Sequence, residues 1–201
     1  MALSGWHRIP LKINNYNEMK SICSLILRLL GWKRVGGVVP HPKCIIIGIP
    51  HTSNLDFVIS WLFYTSMGGK ATVMVKKEIF FWPLGYFIKK MGGVPIDRSK
   101  GANVIRQAIQ LFNEREHMHL ALTPEGTRKR TKNWKAGFHT IATNANVPVY
   151  LGSFDWGRKE IAIGERFEIT ADSKEDIKRM KDIYREKGVV GKFSDQFTTE
   201  Y

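Results

Sequence analysis

The 201-residue sequence predicts an α/β fold: a mostly parallel or mixed central sheet flanked by helices, with an amphipathic helix near the N-terminus. Three observations carry this. Short apolar or β-branched runs recur along the chain, as strands buried on both faces do. Segments with apolar residues at helical spacing alternate with them, the pattern of a layered sheet-and-helix fold. The polar clusters fall just after strand runs, where such sheets build their sites. A hydrophobic content of 43% is ample for a buried core, and the length suits one domain spanning residues 1–201.

The elements follow in order. The stretch from Met19 to Trp32, MKSICSLILRLLGW, places Met19, Ile22, Leu25, Ile26, Leu29 and Leu30 on a helical stripe. Arg28 interrupts it, and it falls short of the roughly 20 apolar residues of a spanning helix. Two readings stay open: a helix packed on the core, or one lying in a membrane surface with Lys20, Arg28, Lys33 and Arg34 at the headgroups. The first twenty residues lack a long apolar stretch, so no signal peptide is expected. VGGVVPHPK reads as a loop. CIIIGI, residues 44–49, is a strand, and residues 55–66 form an apolar helix. ATVMVK, residues 71–76, is a second strand. FFWPLGYFIKKMGG is aromatic-rich and broken by Pro83; Phe80, Phe81, Trp82, Tyr86 and Phe87 are read as core, with an acyl groove or membrane-facing patch as the alternative. VPI at 94–96 is a strand and 102–115 an amphipathic helix. HLALT is a strand ending at Pro124, 135–144 is a helix, and VPVYLGSFDW returns to strand. KEIAIGERFEIT suggests strand or hairpin pieces around Gly164. Asp172 and Glu175 form a capping-box start for a last helix carrying Ile177, Met180 and Tyr184.

The net charge of +13 calls for an anionic partner: nucleic acid, anionic lipid, a phosphorylated metabolite or an acidic carrier protein. Charge alone does not choose among them. RKRTK is too short, with only Trp134 nearby for stacking, to support nucleic-acid binding. Cys23 and Cys44 form neither a disulfide framework nor a zinc spacing, which fits a reducing, cytosolic setting. His51, Asp56, His117, His119 and His139 lack the spacings that mark a metal site, so no metal is expected.

Two clusters carry candidate chemistry. In GIPHTSNLDF a neutral imidazole at His51 accepts a proton near physiological pH, and a carboxylate on its other nitrogen, from Asp56, fixes the tautomer. Five residues are off-face in a regular helix, so the pair needs a turn leading into a first helical turn; otherwise Asp56 or Asn54 is a plain helix cap. No G-x-S-x-G elbow is present, so the attacking hydroxyl belongs to the substrate. In TPEGTRKR, Pro124 and Gly126 turn the chain after a strand and leave Glu125 and Arg128 exposed. Arg128 with Arg98 suits a phosphate, Glu125 a substrate hydroxyl, or the turn is simply a solvated one.

Taken in order, these clusters resemble the glycerolipid acyltransferases typified by 1-acylglycerol-3-phosphate O-acyltransferase. His51 to Asp56 matches the H-x-x-x-x-D block, Gly93 to Arg98 the glycine-to-arginine block, and Pro124 to Arg128 the P-E-G-T-R block. Val147-Pro148-Val149, following Lys135 and Gly137, matches the fourth. Four blocks in one order are far more specific than any one alone. Pro50 stands where the family usually has asparagine.

The resemblance implies acyl transfer from a thioester, on coenzyme A or acyl carrier protein, to a hydroxyl of a lysophospholipid or glycerol-phosphate-like acceptor. No cofactor beyond that co-substrate is expected. His51 becomes general base, Asp56 its orienting carboxylate, and Arg98, Glu125, Gly126, Thr127 and Arg128 the acceptor and phosphate site. Oxyanion donors are expected among the backbone amides of Glu125 to Thr127. On this reading residues 1–40 are membrane-proximal, 41–155 carry the motifs, and 156–201 add C-terminal strands and a helix. The protein would sit peripherally on the cytoplasmic face of the membrane. A non-catalytic lipid- or phosphate-binding protein of the same fold is the alternative.

Overall fold

A computed structural model describes residues 15–97 and 101–201. A seven-stranded mixed sheet runs in the order β1-β7-β6-β2-β5-β3-β4. The strands are β1 (Lys33–Val35), β2 (Lys43–Ile49), β3 (Ala71–Lys76), β4 (Gly93–Ile96), β5 (Met118–Leu122), β6 (Val149–Asp155) and β7 (Glu160–Phe167). Every pairing is parallel except that of β6 with β7. Among the described residues six α-helices complete the fold: α1 (Asn15–Leu29), α2 (Leu55–Ser66), α3 (Leu84–Lys90), α4 (Gly101–Glu114), α5 (Gly137–Ala145) and α6 (Ser173–Lys187).

The isoleucine run of β2 shows why the sheet needs cover on both faces. Ile45, Ile47 and Ile49 pack with Phe112 of α4, Phe138 and Ile141 of α5, and Met180 and Tyr184 of α6. Cys44 and Ile46 point the other way, among Cys23 and Leu27 of α1 and Ile59, Leu62 and Phe63 of α2. Alternation along one strand thus feeds two hydrophobic layers. A side chain at Gly48 would put a Cβ 2.4 Å from the Phe154 ring, so this strand approaches β6 with no room for one.

Several expectations need correction. Residues 33–35 form an edge strand against β7; the run is too short and polar to announce itself. Gly164 is no turn: β7 continues through it with a register shift against β6, and the reversal from β6 lies at residues 156–159, where Lys159 adopts φ 49°. Helix α5 begins at Gly137 and not at Lys135. Phe81, Trp82, Tyr86 and Phe87 are not core: Trp82 is 87% exposed, and the other three all exceed 50%. The α1 stripe also faces outward, with Leu29 75% exposed, while Cys23 and Leu27 anchor the helix. The last helix starts as expected at Asp172, whose carboxylate accepts from the amides of Lys174 and Glu175. The return bond of a capping box is replaced, since the Asp172 amide donates to the Thr170 hydroxyl. Among the described residues no helix is long and apolar enough to cross a membrane.

At the end of the sheet opposite the polar clusters, two histidines and two tyrosines interlock. His119 Nε2 donates to the His41 carbonyl at 2.8 Å, which leaves Nδ1 to accept from the Tyr64 hydroxyl at 2.5 Å. The Tyr150 hydroxyl meets His41 Nδ1 at 2.7 Å. Burial first, then the neighbouring His117, hold His119 below the ordinary histidine range. The unfolded chain therefore takes up this proton more readily than the folded one, so stability falls as pH drops through about 6.5. Urea midpoints measured at pH 7 and pH 5 should show this loss, and His119→Asn should flatten it; an equal slope in both proteins would refute the assignment.

Candidate functional site

The site sits in the loop that leaves β2. His51, Thr52 and Ser53 form a turn before α2, and Asp56 belongs to the first turn of that helix. The five-residue spacing works because the Asp56 carboxylate reaches back over the turn. Its Oδ2 lies 3.2 Å from His51 Nδ1 and accepts from the amides of Thr52 at 2.8 Å and Ser53 at 2.7 Å. Asp56 therefore closes the turn and contacts the imidazole at once, so the two readings of this residue are one arrangement. Asn54, at the helix N-cap position, makes no capping bond through its side chain. Asp56 is 1% exposed, and the His51 side chain is 25% exposed. Among the described residues His51 Nε2 has no hydrogen-bonding partner.

Strand order explains what surrounds the pair. β5 and β6 flank β2, so the residues following each converge on the same loop. After β5, Glu125 lies only 5% exposed, contrary to the expected exposed position. Its Oε1 accepts from the His51 amide at 2.8 Å, and its Oε2 is buried with no partner among the described residues. Burial pushes this carboxyl up to about 8; the His51 amide and Glu125's own amide pull it down, and the Asp56 charge pushes it further up. Glu125 thus holds the backbone of the histidine turn and does not face outward to a substrate hydroxyl.

The other members of the P-E-G-T-R turn do face outward. Gly126 takes φ 63°, a left-handed conformation that favours glycine, and the Lys135 side chain runs 3.0 Å from where a Cβ would sit. Thr127 is exposed, its hydroxyl accepting from the Lys129 amide at 3.2 Å. Arg128 Nη1 donates to Asn54 Oδ1, which links this turn to the start of α2. The expected oxyanion donors are partly used up: the Gly126 amide donates to the Thr123 carbonyl at 3.1 Å. Arg98 lies outside the described residues. Asp97, just before it, accepts from Lys77 Nζ at 2.8 Å. β4 is three strand spacings from β2, about 14 Å away.

One residue of the site was not foreseen. After β6, Trp156 donates from Nε1 to Asp56 Oδ1 at 2.8 Å. Its ring meets Trp32 edge-on, with centroids 5.0 Å apart, and Lys192 Nζ lies 4.7 Å above it. With this bond Asp56 has four polar partners, drawn from its own loop and from a strand a hundred residues away. The only sequence signal was a tryptophan closing the strand run VPVYLGSFDW; the order placing β6 beside β2 was needed to use it. Phe193 adds a further tie, its amide donating to the Thr52 hydroxyl at 3.3 Å.

The family model described as Acyltransferase matches residues 35–151, more than half of the chain. The match includes His51, Asp56 and Glu125 and stops short of Trp156. No curated protein sequence matches significantly. Among solved structures, the fold is similar to the crystal structure of the 1-acyl-sn-glycerophosphate (LPA) acyltransferase, PlsC, from Thermotoga maritima. The TM-score is 0.59 at 20% identity, covering 86% of this chain and 79% of the other.

The buried Glu125 carboxyl has a measurable consequence. Its folded-state value lies above the ordinary one, so the folded chain retains a proton that the unfolded chain releases. Stability should therefore decline as pH rises from about 4.5 towards 8. Glu125→Gln keeps an oxygen for the His51 amide and removes the titration. Urea unfolding at pH 5 and pH 8 should show a smaller decline in the variant than in the parent; parallel declines would count against the assignment.

Proposed function

The chain belongs to the acyltransferase family, and from that premise we propose that it moves a fatty acyl group from a thioester to a hydroxyl of a lysophospholipid or glycerol-phosphate-like acceptor. The donor would be acyl-coenzyme A or an acylated carrier protein. The observation that carries this reading is the His51–Asp56 contact, with Asp56 held by three further donors and the imidazole still reachable from solvent.

In this mechanism Asp56 fixes the proton of His51 on Nδ1, leaving Nε2 as the base. Nε2 takes the proton of the acceptor hydroxyl as its oxygen attacks the thioester carbonyl. The new C–O bond forms and the carbonyl electrons pass to an oxyanion. Collapse of that intermediate breaks the C–S bond, and the imidazolium returns its proton to the departing thiolate. No covalent enzyme intermediate is required. Arg128, exposed beside Asn54, and Arg98 are the proposed partners of the acceptor phosphate. Glu125 serves as the clamp of the histidine backbone, in place of the acceptor contact that the resemblance implied.

The proposed setting is the cytoplasmic membrane surface, approached peripherally. The exposed stripe of α1 and the exposed aromatics around Trp82, with Lys89 and Lys90 beside them, support it. A basic chain with an outward apolar helix suits an anionic interface.

His51→Ala should reduce thiol release from acyl-coenzyme A, screened over lysolipids and small alcohols, by roughly a thousandfold or more with the fold retained. Turnover near that of the parent would reject the mechanism. Trp156→Phe keeps an aromatic ring and deletes only the indole donor to Asp56. It should lower kcat about tenfold with little change in KM. An unchanged kcat would show that the other three partners suffice to hold the carboxylate.

A further inference from the structure

Away from the dyad, α1 and the edge strand β1 border an open hollow of about 470 Å³ together with the end of α2. Lys20, Ser24 and Arg28 recur every fourth residue and so line one face of the helix. Arg34 of β1 completes the wall. Among the described residues none of the three cations forms an ion pair and no carboxylate lines the cavity. The nearest acid of α1, Glu18, faces the adjoining hollow beside Asn17.

Arg34 is held in place. Its Nη1 donates to the Ser66 hydroxyl at 3.2 Å, and that hydroxyl donates to the Phe63 carbonyl at 2.7 Å. Ser66 is only 3% exposed, so a buried group fixes one side of the guanidinium and leaves the remaining N–H groups for the cavity. Three cations around one hollow repel each other, and an anion among them turns that repulsion into attraction. A fork of guanidinium donors beside an ammonium is the chemistry that recognises a phosphate. Leu25 also lines the cavity, and Met19, Ile22, Ile26 and Leu29 are exposed on the same helix. An apolar surface beside a phosphate site matches a lipid better than a free ion.

We infer that this cavity binds a phosphate group, and that its source is the headgroup of an anionic phospholipid. The inference deepens the peripheral-membrane part of the proposed function and is independent of the dyad, so loss of acyl transfer would leave it intact.

The test uses the full chain with vesicles of phosphatidylcholine, with and without about one-fifth phosphatidic acid. The variant Lys20→Ala/Arg28→Ala/Arg34→Gln is compared with Arg106→Ala/Lys174→Ala/Lys187→Ala, which removes the same charge from exposed positions elsewhere. Circular dichroism confirms that both are folded. The cavity variant should lose roughly tenfold more affinity for acidic vesicles than the control. Inorganic phosphate should release the parent from those vesicles. Equal losses in the two variants would overturn the site, because general charge would then explain binding. Binding of inorganic phosphate that depends on Arg34, without any preference for acidic vesicles, would keep the phosphate site and overturn the lipid source.

Discussion

The arrangement around Asp56 sets conditions that much of the fold must meet. A carboxylate 1% exposed is costly unless its oxygens find donors, and removing one partner from such a group leaves an uncompensated charge. Here two donors come from the turn immediately before α2, one from the imidazole, and one from an indole at the end of β6. The first three are local and form as soon as the turn does. The fourth requires β6 to lie beside β2 in register, with Gly48 opposite Gly152. Correct sheet assembly and a correctly held imidazole are therefore the same event at this point in the chain.

Glu125 meets a different fate a few ångströms away. It has one oxygen engaged by the His51 amide and one with nothing to accept from. Burial without a complete set of donors favours the uncharged acid. Two carboxyls thus hold one histidine from opposite sides, Asp56 through the ring and Glu125 through the backbone. Only the first has a donor for each of its oxygens. The division follows from strand order: β5 brings Glu125 to the loop, and β6 brings the tryptophan that completes Asp56.

The sequence made the strands and helices legible because their patterns are local. An all-apolar run such as Cys44–Ile49 has no other use than a strand buried on both faces, and the Asp172 cap is visible three residues ahead of its effect. The dyad and the P-E-G-T-R turn could be read for the same reason. The Asp56–Trp156 bond could not, since nothing within ten residues of either partner names the other. Exposure was also misjudged where apolar residues cluster. Hydrophobicity identifies what avoids water, but whether Trp82 meets a core or a separate apolar surface depends on tertiary placement. Arg98 matched a block by spacing, and it falls outside the described residues.

The excess of positive charge acquires meaning from where apolar surface is left uncovered. A basic protein with a polar exterior would carry its charge as a diffuse field, useful mainly for solubility and encounter rates. In this chain α1 turns Met19, Ile22, Leu25, Ile26 and Leu29 outward while Lys20, Arg28 and Arg34 gather beside them. Around Trp82, exposed aromatics stand next to Lys89 and Lys90, with Lys90 4.6 Å above the Tyr86 ring. Neither apolar surface is explained by folding, because the two core layers are already filled from other positions. An interface that is anionic at its surface and apolar just beneath satisfies both features together, which a nucleic acid or a small acidic metabolite does not. Under the proposed function the same surfaces would bring an acceptor held in a membrane towards His51, whose side chain is 25% exposed.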